Sequence, residues 1–269
     1  MQIRQNCHRN IWLLSGTGDG PPLARAFIAK GYQVSVSVVS YQASLAYKCL
    51  PLKDLFIGPL NGVEGIISVL HAAKNKHHGF AYVVDATHPF AVQITNNLNI
   101  ACTKVGQKII RYERPLEKAK HANVIKDLKE FSQINLQGQK ILLAIGSRFL
   151  PEAIVHFKES GADIFARVLP TVDSFVKAFA SQIPSKNIAV VRPLYGKYKG
   201  SIESALCRKW KITGIVCRQS GGLNQKIWQT ISSQENINLW LLSRPNQPIG
   251  LKSIYTIEGL ISYVDMNSS

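Results

Sequence analysis

A chain of 269 residues, 46% of them hydrophobic, can fill one large core or two modest ones. Its 32 Lys and Arg against 16 Asp and Glu leave a formal charge of +16, which favours a polyanionic partner or substrate. No apolar run approaches bilayer-spanning length and no export signal is legible, so an unexported, cytoplasmic protein without membrane association is expected. Cys7, Cys49, Cys102, Cys207 and Cys217 form no C-x-x-C pair, and His77-His78 has no carboxylate or thiol nearby. Neither a disulfide framework nor a metal site is expected.

In chain order, an apolar strand over residues 11–15 runs directly into Ser15-Gly16-Thr17-Gly18-Asp19-Gly20-Pro21-Pro22 and a helical pattern over 22–30. Glycines at alternate positions after a strand permit a tight turn and close approach to a phosphate, while the following helix directs free N–H groups at the anion. The two prolines suit a first helical turn, where no amide donor is needed. A second strand over 33–39 has no acid at its end and offers Ser35, Ser37 and Ser40 instead. An acid there would hold the ribose hydroxyls of NAD, and its absence removes a repulsion against the extra phosphate of NADP. Ser15, Gly16, Thr17, Gly18, Asp19, Gly20, Ser37 and Ser40 are therefore candidate cofactor residues for NADPH, with Lys48 a candidate base nearby.

A strand over 55–57 and a helix over 63–74 lead to the apolar run 81–84, which breaks into Asp85-Ala86-Thr87-His88-Pro89-Phe90-Ala91 before a helical pattern over 90–105. In an open parallel sheet such a loop faces the ligand crevice, and Pro89 stiffens it. His88 and Asp85 are the candidate catalytic residues, each expected as a positioning group first and an acid–base group second, with Asp85 orienting the loop and Ala86 and Thr87 beside the cofactor; the competing reading makes Asp85 or Thr87 a helix cap. A fifth strand over 108–112 follows, and residues 114–123, with Pro115 and mixed charge, are the expected linker.

The second half repeats the alternation. Strands are expected over 140–145, 163–168, 188–191, 214–217 and 239–243, and helices over 149–159, 172–182, 202–210 and 223–233. A short strand and a helix over 257–264 close the chain. Such alternation predicts an α/β fold of two Rossmann-like domains with mainly parallel sheets. Residues 1–115 form the expected NADPH-binding domain and 116–269 the substrate domain, with the cleft between them as the expected site. Arg111, Arg114, Arg148, Arg192 and Arg218 each follow an apolar run, so parallel strands would gather them along one sheet edge. Guanidinium groups bind carboxylates in a two-pronged fashion. Ser220-Gly221-Gly222, between a strand and a helix, adds a second glycine-rich anion loop. The basic residues form no block of five, and no finger, RNP or helix-turn-helix pattern occurs, so nucleic acid is not an expected partner.

Leu14-Ser15-Gly16-Thr17-Gly18-Asp19-Gly20, the Asp85–Ala91 heptapeptide, Arg111-Tyr112-Glu113-Arg114-Pro115, Gly146-Ser147-Arg148 and Ser220-Gly221-Gly222 occur in an order that resembles the precorrin-6A reductase family of cobalamin biosynthesis. The resemblance implies NADPH-dependent reduction of one double bond of precorrin-6A, or of its cobalt form, to precorrin-6B. It also implies a polycarboxylate tetrapyrrole as substrate, which accounts for the basic charge. This chain differs from the family pattern in opening its first loop with Ser15-Gly16 instead of two glycines, in Pro21-Pro22, and in Arg218-Gln219 ahead of the second loop. Two other readings stand beside it: another NADP-dependent oxidoreductase of a polyanionic small molecule, and a non-enzymatic Rossmann-like nucleotide- or RNA-binding protein. The oligomeric state is not legible.

Overall fold

The computed structural model describes residues 9–77, 79–117, 122–192 and 198–268, with His77 described by its backbone alone. Cys7, His78 and positions 118–121 of the expected linker lie outside the described residues. The chain divides into two compact units: one holds the described residues up to Pro115 together with those from Pro245 onward, and the other runs from Leu116 to Arg244.

The strands, in chain order, are β1 (Asn10–Ser15), β2 (Gln33–Val38), β3 (Asp54–Ile57), β4 (Tyr82–Ala86), β5 (Ile109–Tyr112), β6 (Ala122–Ile125), β7 (Lys140–Ala144), β8 (Asp163–Val168), β9 (Ile188–Val190), β10 (Gly214–Arg218), β11 (Asn238–Leu242) and β12 (Ser253–Ile254). The helices are α1 (Gly20–Ala29), α2 (Tyr41–Ser44), α3 (Gly62–His77), α4 (Val92–Val105), α5 (Leu150–Glu159), α6 (Val172–Phe179), α7 (Ser201–Trp210), α8 (Gly222–Gln234) and α9 (Ile257–Asn267).

The first unit carries a six-stranded parallel sheet of order β12-β5-β4-β1-β2-β3. Its central strands are mostly apolar because helices cover both faces. Strand parity divides the core in two. Ile11, Leu13, Val34, Val36 and Val84 pack with Phe27 of α1 and Leu260 of α9, whereas Trp12, Leu14 and Val83 pack with Ile66 of α3 and Leu98 of α4. The order reverses between β1 and β4, which makes that junction the switch point where open α/β sheets bind ligands.

The second unit repeats the plan with order β6-β11-β10-β7-β8-β9, all parallel. Leu142, Ile215, Cys217, Leu239 and Leu241 of its sheet pack against Cys207 of α7 and Trp228 and Ile231 of α8. Its switch point lies between β7 and β10, so the loops bearing Ser147-Arg148 and Ser220-Gly221 flank one crevice position.

Three expectations need correction. Residues 245–269 belong to the first unit, because β12 pairs with β5 through Ser253 and Ile254 and α9 buries Leu260, Ile261 and Val264 in the core shared with α1. The expected linker contains the start of β6, which pairs with β11 at the sheet edge. Helix α4 begins at Val92 instead of Phe90, because Pro89 and Phe90 form a turn closed by Ala91 N–H donating to the His88 carbonyl.

Candidate functional site

The turn after β1 is built by close approach. A methyl group on Gly20 would overlap the Ser15 side chain and the Tyr47 hydroxyl, so glycine lets α1 start close above the end of its strand without displacing them. At Gly18 nothing lies within 4 Å of where a side chain would begin, which leaves the backbone of the turn open to a ligand. Thr17 Oγ1 donates to Asp19 Oδ2 (2.9 Å) and accepts from the Asp19 N–H (3.2 Å), bracing the turn. The Asp19 carboxylate would oppose an anion here, but Arg114 Nε donates to it and neutralises it. Ser15 through Gly20 thus form a glycine-rich turn leading into the N-terminus of α1. Gly20→Ala is expected to cost about 1–3 kcal/mol through overpacking and to weaken nicotinamide-cofactor binding. Thermal unfolding and cofactor titration of the variant check it; unchanged affinity and melting would contradict the close-approach account.

The loop after β4 lies beside this turn, because β4 pairs with β1 and brings Ala86 level with Ser15. The Gly16 turn approaches the His88 backbone N–H, 3.9 Å from where a Gly16 side chain would begin. Phe90 N–H donates to His88 Nδ1 at 3.1 Å, so a neutral imidazole carries its proton on Nε2. His88 is half-buried and its orientation is set by the backbone of its own loop.

Asp85 sits where the expected loop-orienting role needs it. It is 0% exposed; Oδ1 accepts from the Thr87 N–H (3.0 Å) and hydroxyl (2.7 Å), and Oδ2 accepts from Thr95 Oγ1 (2.8 Å) and from Arg111. Register explains the meeting with Arg111: Asp85 is its parallel partner across β4 and β5. Arg111, 1% exposed, also donates through Nε to Glu113 Oε2 (2.8 Å), which in turn accepts from Gln247 Nε2 (2.9 Å). Burial works against the guanidinium's charge, yet Asp85 and Glu113 outweigh it and raise its pKa. Arg111 commits its Nε and Nη1 to Glu113, Asp85 and Thr95, which corrects its expected role at the substrate, and Asp85 acts by holding its own loop. Thr87 spends its hydroxyl on Asp85, and Ala86 is buried at the strand end.

Other expected residues divide similarly. Ser37 is buried and its Oγ accepts from the Trp12 indole N–H at 2.8 Å, because strand parity turns it into the core; it is corrected from a cofactor residue to a packing one. Ser40, three residues on, caps α2 by accepting from the Ala43 N–H (3.3 Å) and stays partly exposed, with Lys48 exposed nearby in sequence. Arg114 donates through Nε to Asp19 at the first turn and stays partly exposed.

In the second unit Arg148 and Arg192 are exposed, and Arg218 ends β10 with its guanidinium 6.0 Å from the Phe149 ring. Burial pushes the Arg218 pKa down to about 10; Cys217 opposes the shift, and the neighbouring charges of Arg148 and Arg167 add to it. Gly221 and Gly222 both have positive φ, at 67° and 66°, and form the lead into α8. The Gly221 N–H donates to Gln225 Oε1 at 2.8 Å, and Ser220 is buried beside it with its hydroxyl donating to the Gly221 carbonyl (3.3 Å). Arg167, Glu203 and Gln225 lie at the same end of this sheet. Arg167 follows the apolar start of β8 and was open to the same strand-end reasoning as the other arginines; Glu203 and Gln225 carry no local signal.

Among the described residues no group of three or more His, Cys, Asp and Glu is arranged to hold a metal ion, and no helix is long and apolar enough to cross a membrane. The family model for precorrin-6x reductase CbiJ/CobK matches residues 10–265. A cobalt-precorrin-6A reductase from Synechocystis sp. is 31% identical over 243 residues, covering 87% of this chain and 88% of that protein. A precorrin-6A reductase from Mycobacterium tuberculosis is 27% identical over 257 residues, covering 94% and 96%. The solved structure titled CobK precorrin-6A reductase superposes with a TM-score of 0.72 at 21% identity over 96% of this chain and 97% of that one, which establishes the shared fold. Reduction implies a nicotinamide cofactor, in keeping with the glycine-rich turn after β1. With its sequence matched from residue 10 to residue 265, this chain belongs to the precorrin-6x reductase CbiJ/CobK family of oxidoreductases.

Proposed function

We propose that this chain reduces one double bond of precorrin-6A, or of its cobalt form, with NADPH as the reductant. The observation that carries the reading is the adjacency of two loops at one switch point: the Gly16–Gly20 turn after β1 and the His88 loop after β4. NADPH supplies the hydride when bound, and a proton completes the reduction. The backbone amides of the open turn before Pro21 and Pro22, which carry no N–H of their own, receive the cofactor's pyrophosphate. The end of β2 has no acid to favour NAD, and Ser40 with Lys48 offers a donor and a cation for the additional phosphate of NADP. His88, with its proton on Nε2, offers a hydrogen bond or that proton at the nicotinamide end, and Asp85 holds its loop in place. Arg148, Arg192 and Arg218, with Ser220, Gly221 and Gly222, take rim carboxylates of the macrocycle.

The purified protein should oxidise NADPH in the presence of precorrin-6A or cobalt-precorrin-6A. Its kcat/KM with NADPH should exceed that with NADH by on the order of tenfold or more. Equal use of NADH would remove the NADPH assignment, and no oxidation with either macrocycle would remove the substrate.

A further inference from the structure

The carboxyl edge of the second sheet holds more donors than its own residues use. Arg167 stands at the end of β8, level with Ala144 of β7 by continuation of the register, and Ala144 is level with Cys217 of β10. Arg148, Arg167 and Arg218 therefore arise from three neighbouring strands at one edge. Arg167 donates through Nη2 to Glu203 Oε1 at 3.2 Å, and both side chains are nearly buried. Its Nε–H, also buried, has no acceptor. Burial lowers the Arg167 pKa despite Glu203, so a single carboxylate does not fully compensate the charge.

A second buried donor lacks an acceptor nearby in the fold. Gln225, in the first turn of α8, is 1% exposed; its Oε1 holds the Gly221 N–H, while its Nε2 has no partner. Glu203 and Gln225 sit in the first turns of α7 and α8, and these helices approach closely at Gly200, where a side chain would begin 2.8 Å from Ile227. Buried polar hydrogens without acceptors are rare, and two at one sheet edge, beside a helix N-terminus and three guanidinium groups, call for anionic oxygen.

We infer that Arg167 and Gln225 are specificity residues that receive carboxylates of the substrate, extending the site of Arg148, Arg218 and the Ser220–Gly222 loop. Glu203 is then a positioning residue that fixes the Arg167 fork and leaves Nε as the donor for the ligand. The inference rests on the tetrapyrrole reading for the identity of the ligand, whereas the anion site stands on the donors themselves.

Two near-isosteric changes test it. Arg167→Lys keeps the charge and removes the Nε donor; Gln225→Glu keeps the acceptor for Gly221 and turns the unpartnered donor into a carboxylate oxygen. Each should raise the KM for precorrin-6A about tenfold or more, with the Kd for NADPH unchanged and circular dichroism as in the parent. Unchanged KM in both folded variants, or a loss of NADPH affinity in place of macrocycle affinity, overturns the inference. A probe independent of turnover is citrate, which should raise the melting temperature of the parent protein and do so less for Gln225→Glu. If the parent fails to reduce precorrin-6A yet shows this citrate difference, the anion site stands and the substrate reading falls. Equal stabilisation of parent and variant by citrate overturns the site.

Discussion

Replacing Arg111 with methionine is expected to destabilise the first unit by about 3–5 kcal/mol, because it leaves the carboxylates of Asp85 and Glu113 buried without their shared cation. The effect comes from stranded charge, more than from loss of favourable ion pairing. A buried pair or triad replaced as a whole by apolar groups is often close to neutral, whereas removal of one partner is costly. Adding Asp85→Asn and Glu113→Gln to Arg111→Met should therefore recover a large part of the loss. Urea unfolding, followed by a probe in the first unit such as Trp12 fluorescence, reads both variants. A loss below about 1 kcal/mol for Arg111→Met would place the triad among weakly coupled surface pairs and contradict its role as the support of the His88 loop.

His88→Ala is the second large effect. If the imidazole acts from Nε2, turnover should fall on the order of a hundredfold or more, while stability and cofactor affinity stay near those of the parent, because Nδ1 bonds to the Phe90 N–H within its own loop. His88→Gln separates two roles. An amide donor restores a positioning hydrogen bond but not proton transfer, so partial recovery assigns His88 to positioning and no recovery assigns it to the proton. Parent-level turnover in His88→Ala would remove it from the chemistry.

The contrast between these two residues shows what a sequence exposes. Both strand-end motifs, the Gly16–Gly20 turn and the Asp85–Ala91 loop, are local: residues that break an apolar run and face a crevice can be read from their own neighbours. The meeting of Asp85 with Arg111 is not local. It depends on β4 and β5 pairing in one register, and on parity bringing both side chains to the same face. A strand-end arginine looks like a ligand for substrate until its partner is known. Ser37 was misread for the same reason, since its polarity suggested a cofactor contact while the pleat turned it toward Trp12.

The domain boundary has a related explanation. Pro115 and the charged residues after it mark the first crossing between units, but the return at Pro245 carries only a two-residue strand. Its pairing with β5 and the burial of α9 against α1 are long-range facts, with no periodic signal in the intervening sequence. The arginine edge of the second sheet was legible as a charge pattern after apolar runs. Which of its donors are already satisfied was not, because Glu203 and Gln225 reach it from two helices.

The most direct test of the account is the fate of the transferred hydrogen. Protein incubated with precorrin-6A and NADPH deuterated at the nicotinamide C4 position should give a reduced macrocycle that carries the label when one face of the ring is deuterated and none when the other face is. Consumption of NADPH without label in the macrocycle from either face, or no reduction at all, would contradict hydride delivery to a tetrapyrrole by this chain.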